Sequence, residues 1–245
     1  MKPLFFISCP IDTYSGYGAR SRDLVKAIIE TDKYDVKVIP QMWGNTPWGF
    51  IEDNPEWSFL IPHLFDQPQL PKPPEVWMQI TIPSEFQPVG KYNIGVTAGI
   101  ETTLSPGDWI EGINRMNLTL TSSEHSKETF LKTVLQKVDQ RTNQPVGEAK
   151  VEKPIEVLFE GVNTDIYRPL DTVESFPELT DIKDKFCYLF VGHWINGDLG
   201  EDRKNVGLLV KAFYETFKNK KQRPALILKT SQVGSSYIDR DEILK

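Results

Sequence analysis

The hydrophobic positions of this chain fall into two kinds of run that alternate along its length. Leu4 to Cys9 is an unbroken apolar run. After it come a glycine-containing turn, Ser15-Gly16-Tyr17-Gly18-Ala19-Arg20, and then Leu24, Val25, Ala27, Ile28 and Ile29 at helical spacing. Val36 to Ile39 is the next apolar run. Apolar runs without alternation suit strands covered on both faces, as in a parallel sheet. The same reading gives strands over Val76–Ile82 (ended by Pro83), Tyr92–Thr97, Leu118–Thr121 and Ile155–Phe159. Two more helices are expected. One spans Pro106–Asn114, with Ser105 as N-cap and proline at the first position. The other runs from Glu124 to Leu135, capped by Ser123, with an acid in its first turn. Repeated strand–helix–strand units predict an α/β domain with a Rossmann-like parallel sheet.

Three stretches break the rhythm. Residues 41–74, rich in Pro, Asn and Asp and holding Trp43, Trp48 and Trp57, read as long loops with short helical pieces. The tryptophans fit a satellite core better than direct ligand contact. Residues 137–153 read as an exposed polar loop, and 168–184 as a linker. A boundary there divides the chain into an N-terminal domain, 1–170, and the start of a second, 171–245. The second contains strands over Cys187–Val191 and Ala225–Leu228. Between them lies an amphipathic helix, Lys204–Phe217, with Val206, Leu209, Val210, Phe213 and Phe217 on one face. Residues 231–245 form a polar tail. One βαβ unit cannot bury both faces of a two-stranded sheet. The second part is therefore expected either to pack on the first domain or to be incomplete.

Composition narrows the field. The chain has 245 residues, 39% of them hydrophobic, and a formal net charge of -6. That balance argues against a general nucleic-acid binder, which needs a basic face. Cys9 and Cys187 lie in apolar runs and are expected to be buried thiols in strands. Together with His63, His125 and His193 they show no metal-ligand spacing, so no metal is expected. His125, in the first turn of its helix, is expected to be a surface or capping residue. The chain enters its first strand without a signal-like region, and no apolar stretch reaches membrane-spanning length, so a soluble cytoplasmic protein is expected.

Four segments carry candidate chemistry. Gly16, Tyr17, Gly18 and Arg20 lie in the turn between the first strand and the first helix, where glycine admits close backbone approach and a helix N-terminus favours anions. A plain tight turn fits equally well, since the third glycine of a dinucleotide fingerprint is missing. In Gly95-Val96-Thr97-Ala98-Gly99-Ile100-Glu101-Thr102-Thr103 a strand ends in a loop bearing an acid and hydroxyls, with Glu101 placed to orient a hydroxyl or take its proton. Loop capping is the plainer alternative. Gly161, Asn163 and Asp165 form either a hinge or a cleft wall. Finally, Val191-Gly192-His193-Trp194 leads to Asp202-Arg203-Lys204-Asn205. Cations are mildly disfavoured at a helix N-terminus unless an anion such as a diphosphate binds there. A solvated turn paired with Glu201 and Asp202 is the alternative.

Together these segments resemble the retaining, family-4-like glycosyltransferases of the GT-B fold. The run NIGVTAGIETTLSPGDWIEGINRMNLTLTSSEHSKETF looks like their segment ending in an S-E-x-S-K helix start. VLFEGVNTDIYRPL is similar to their interdomain stretch, and FVGHWINGDLGEDRKNVGLLVKAF to the first strand and helix of their nucleotide-sugar domain. The resemblance implies an acceptor-side first domain and a donor-side second one. It puts Lys204, Arg203 and His193 at the donor phosphate, and leaves Glu101, from the reading of the residues themselves, as the catalytic candidate. Gly16, Tyr17, Gly18, Arg20 and Thr102 would lie on the acceptor side, and Gly161, Asn163 and Asp165 between the domains. No cofactor is implied, because the nucleotide-sugar is a substrate. The partners would be that donor, a carbohydrate or other hydroxyl acceptor, and a separate C-terminal half. Three departures stand out. His193 replaces the usual arginine, the family histidine after the middle strand is absent, and the later E-x7-E element has no counterpart. A non-catalytic carbohydrate- or partner-binding module on the same scaffold is the competing expectation.

Overall fold

The computed structural model describes residues 2–231, apart from Pro68, Pro71, Gln140, Asn143, 173–176, Asp181, Asp184, Lys185, 195–198, Asp202 and Arg203; the side chains of Glu178, His193 and Ser231 are also outside the description. The chain forms two compact units, Met1–Val162 and Asn163–Lys245.

The first unit is α/β and built on a six-stranded sheet. Its strands are β1 (Leu4–Cys9), β2 (Asp35–Pro40), β3 (Val76–Ile80), β4 (Tyr92–Thr97), β5 (Leu118–Thr121) and, after a separate hairpin of β6 (Leu135–Val138) and β7 (Pro145–Ala149), β8 (Ile155–Val157). The order is β2-β1-β3-β4-β5-β8, and every pairing is parallel. The unbroken apolar runs have their physical cause here, because the central strands are covered on both faces. On one face Phe5, Ile7, Cys9, Val36, Val38, Met78, Ile80 and Val96 pack with Val25 of helix α1 (Gly16–Glu30) and with Ile51 and Leu60 from the segment after β2. On the other face Phe6, Trp77, Phe86 and Met116 form a second cluster. A third cluster joins Ile110 and Ile113 of helix α3 (Gly107–Arg115), Phe130 of helix α4 (Glu124–Lys132) and Ile155 of β8.

The tryptophan-rich segment does more than fill a gap. It holds a short helix α2 (Phe50–Asp53) and a 3-10 stretch, Pro55–His63. It then brings Leu64 into a parallel bridge with Val38, outside β2, where the Phe65 N–H donates to the Val38 carbonyl at 2.8 Å. Counting that one-residue edge, the order begins with the 3-2-1-4-5-6 pattern of doubly wound sheets and adds β8 as a seventh member, which makes the unit compatible with a Rossmann-like domain.

Several expectations are corrected. The N-cap position of α3 is Pro106, with no side-chain cap bond, and Ser105 instead donates its N–H to the Thr133 hydroxyl at 3.1 Å. Helix α4 stops at Lys132, because Leu135 already begins β6. Residues 137–153 are not simply a loop. β6 (Leu135–Val138) and β7 (Pro145–Ala149) form an antiparallel hairpin. It is exposed along almost its whole length, so the alternation that marks a half-buried strand never develops.

The second unit contains β9 (Cys187–His193) and β10 (Ala225–Ser231), paired in parallel and joined through helix α5 (Val206–Phe217). Tyr188 meets Phe213 and Phe217 at ring distances of 6.0 and 5.9 Å, which seats the helix on one sheet face. Leu189 and Val191, by contrast, are 66% and 62% exposed. Helix α5 begins two residues after Lys204, following Asn205 in a left-handed conformation, so Lys204 precedes the helix rather than opening it. Of the two cysteines expected to be buried, Cys9 is and Cys187 is exposed, since the thin second sheet covers it poorly. The tail beyond Ser231 lies outside the described residues.

Candidate functional site

In a parallel sheet all carboxyl ends lie at one edge, and ligands of α/β folds bind outside that edge where the strand order reverses. In the first unit the reversal falls at β1, between β2 and β3. The loop after β1 is held stiffly. Arg22, only 4% exposed, donates to the carbonyls of Ile11 and Thr13 at 2.8 and 3.0 Å and lies 3.4 Å over the Phe50 ring. Burial draws its pKa down to about 10, opposed chiefly by Asp23 and Asp12, so it stays cationic at neutral pH. The Thr13 hydroxyl donates to the Pro10 carbonyl at 2.9 Å, and Ser15 caps α1 by accepting the Gly18 N–H at 2.9 Å.

The glycine segment of the sequence is therefore not a turn, because Gly16, Tyr17, Gly18 and Arg20 all stand in the first turns of α1. The requirement for glycine at 18 is steric. A Cβ there would sit 2.3 Å from the Thr13 carbonyl oxygen.

Tyr17 is the hub of the edge. Its hydroxyl accepts the Ala98 N–H at 3.0 Å and shares a hydrogen bond with Thr97 at 3.1 Å, and its ring stacks on Trp43 at 3.9 Å. Burial pushes its pKa upward, the bonds from Thr97 and Ala98 oppose this, and the charges of Glu160 and Glu101 add to the rise. Arg20 reaches the exit of β8 and donates to the carbonyls of Leu158 at 2.6 Å and Phe159 at 3.4 Å. These groups surround a cavity of about 30 Å³ whose lining includes Tyr17, Arg20, Thr97, Thr121, Ser122 and Glu160. The Thr121 hydroxyl is buried without a hydrogen-bond partner among the described residues. Leaving such a group unpaired costs about 1–3 kcal/mol, so it stands ready to accept a water or ligand hydroxyl.

Beside this edge, Gly99 has φ +97°, and a Cβ there would meet Ser126 Oγ at 2.1 Å. The Ser126 hydroxyl accepts the Ile100 N–H at 3.1 Å, which turns the loop onto the start of α4. Glu101 follows on the exposed surface of that loop. Thr102 donates its hydroxyl to the Leu104 carbonyl at 2.9 Å, while its own carbonyl faces the exposed His125 ring at 3.1 Å.

The structure thus gathers Gly16, Tyr17 and Arg20 at one opening, with Glu101 close enough to act on the phenol electrostatically. It adds Thr97, Thr121, Ser122 and Glu160, which the sequence reading quoted within motifs but did not single out. Only the register Thr97↔Thr121 shows that two distant hydroxyls share a level. Gly161 is exposed at the end of the first unit. Asn163 and Asp165 belong to the second unit, where the Asn163 side chain accepts the Asp165 N–H at 3.0 Å in a local turn. Lys204 is exposed ahead of α5, His193 ends β9, and Arg203 and the His193 side chain lie outside the described residues. No group of three His, Cys, Asp or Glu among the described residues is placed to hold a metal ion. No described helix is long and apolar enough to cross a membrane.

The fold and the edge define a doubly wound α/β unit with a hydroxyl-rich opening at its carboxyl edge. Neither protein-family models, curated proteins nor solved structures contain a match to this chain.

Proposed function

We propose that this chain is a glycosyltransferase, or a part of one, of the retaining GT-B type its motifs resemble, moving a sugar from a nucleotide donor to a hydroxyl acceptor in the cytoplasm. The first unit takes the acceptor, and the second contributes to binding the nucleotide-sugar donor. The observation that carries the reading is the convergence of Tyr17, Arg20, Thr97, Thr121 and Glu160 at the carboxyl edge of the first sheet. Hydroxyls and a carboxylate around a small opening suit recognition of a sugar-like hydroxyl. Glu101 orients or deprotonates that hydroxyl. Arg203, Lys204 and His193 stabilise the leaving diphosphate, a task that basic groups perform without a metal.

The test incubates the folded chain with a panel of nucleotide-sugars, with and without a polypeptide supplying the rest of a donor domain. The readouts are calorimetric binding and release of nucleoside diphosphate. Binding that weakens in Lys204→Ala supports the proposal; absence of both binding and release under both conditions removes it.

A second reading, a non-catalytic carbohydrate- or partner-binding module, draws on two observations. The enclosed space is about the size of one water, and Trp48, bridged to Thr13 in the loop after β1, is 44% exposed. It requires free glycans to bind without any nucleotide and Trp48→Ala to weaken them.

A further inference from the structure

The eight ion pairs among the described residues all lie in the first unit. The second unit has cations of a different kind. Lys218, Lys220, Lys221 and Arg223 fall within six residues, KNKKQR, between the end of α5 and the start of β10. All four are exposed, no acid interrupts the stretch from Thr216 to Pro224, and none of them forms an ion pair among the described residues. Together with Asn219 they line an open concavity of about 690 Å³. Among the described residues their side-chain interactions are weak and local. Arg223 Nε donates to the Lys220 carbonyl at 3.3 Å, and Lys218 Nζ sits 5.7 Å from the centre of the Tyr214 ring.

The negative end of the α5 dipole accounts for a cation in the last turn or at the cap, as with Lys218, but not for three more beyond it. Nor does the patch belong to a ligand edge. Helix α5 runs back along the parallel pair, so its C-terminus lies at the amino ends of β9 and β10, opposite the carboxyl edge where α/β sheets bind ligands. Three lysines on flexible stems with no backbone cradle make a diffuse positive field rather than a fork for one anion.

We infer that this tip docks on an anionic phospholipid surface. A bilayer can be engaged by a patch of a few cations, whereas a long polyanion lying along the chain would meet its overall charge of -6. Tyr214, 65% exposed on the last turn of α5, suits the headgroup level, where tyrosine is enriched. The inference is independent of the proposed catalytic function.

The test is co-sedimentation of the full chain with vesicles of phosphatidylcholine alone and of phosphatidylcholine with 30% phosphatidylglycerol. Binding is expected only to the anionic vesicles and should fade as salt is raised, since each cation near such a surface contributes about fivefold to the partition coefficient. Lys220→Glu/Lys221→Glu, with folding checked by circular dichroism, should lower partition at least about 25-fold. A charge reversal on the first unit, Lys26→Glu, should leave it unchanged. Equal binding to both vesicles, no binding to the anionic ones, an unaffected double variant, or capture by heparin in preference to vesicles would each overturn the inference.

Discussion

The first βαβ segment of the chain, β1–α1–β2, and the last, β9–α5–β10, follow one local recipe: an apolar strand, an amphipathic helix and a second apolar strand in parallel register. Their burial is nevertheless opposite. Phe5, Phe6, Ile7 and Cys9 of β1 are each at most 4% exposed, while Leu189 and Val191 of β9 are 66% and 62% exposed. A strand does not bury itself. β1 is central, flanked by β2 and β3 and covered on both faces, whereas among the described residues β9 has one neighbour and one helix. The comparison teaches that the same hydrophobic run is core in one place and bare surface in another, according to how many layers the rest of the fold supplies.

Thiol chemistry offers the largest contrast between the two segments. Cys187 is exposed and Cys9 wholly buried, so under native conditions a thiol reagent should modify Cys187 at least about 10³-fold faster than Cys9, whose reaction waits for unfolding. Burial also raises the Cys9 pKa from 9.0 to about 12. The folded state thus favours the neutral thiol, and its contribution to stability is whole below pH 9 and lost as pH climbs toward 12. Denaturant midpoints measured from pH 8 upward in wild type and Cys9→Ala should converge if the sign is right.

Core truncation comes next. Phe6→Ala should cost about 3–5 kcal/mol in urea unfolding, and Leu189→Ala within about 0.5 kcal/mol of nothing. Equal costs would mean that β9 has a covered face after all. Gly99→Ala should cost about 1–3 kcal/mol, from the left-handed backbone and the clash with Ser126, and should weaken ligand binding at the edge beside it. The smallest effect concerns the helix starts. Ser15→Ala removes a real cap and should cost about 1 kcal/mol, whereas Asn205→Gly, at a left-handed residue that makes no cap bond, should be neutral within a few tenths.

The candidate site was legible only in pieces. Gly18 and Gly99 can be picked out as special, yet the reasons, a carbonyl and a serine hydroxyl that an added Cβ would strike, come from residues distant in the loop or in the chain. Arg20 can be flagged as a cleft residue, but its hold on Leu158 and Phe159 spans nearly 140 positions. Glu160 carries no signal of its own in the sequence, and only the exit of β8 puts it at the same opening as Tyr17. The β6–β7 hairpin gave no periodic signal because nearly every side chain on it faces water.

By itself, the order of residues determined the strands of the parallel sheet and the Ser123 start of α4. Each depends on neighbours a few positions away: apolar continuity, or a hydroxyl reaching an N–H within one turn. Tertiary structure alone decided the strand order, the Leu64 edge beside Val38, which cysteine is hidden, and the meeting of Tyr17, Thr97, Thr121 and Glu160. Those outcomes depend on which layers stack on which, a global property that no local window of sequence contains.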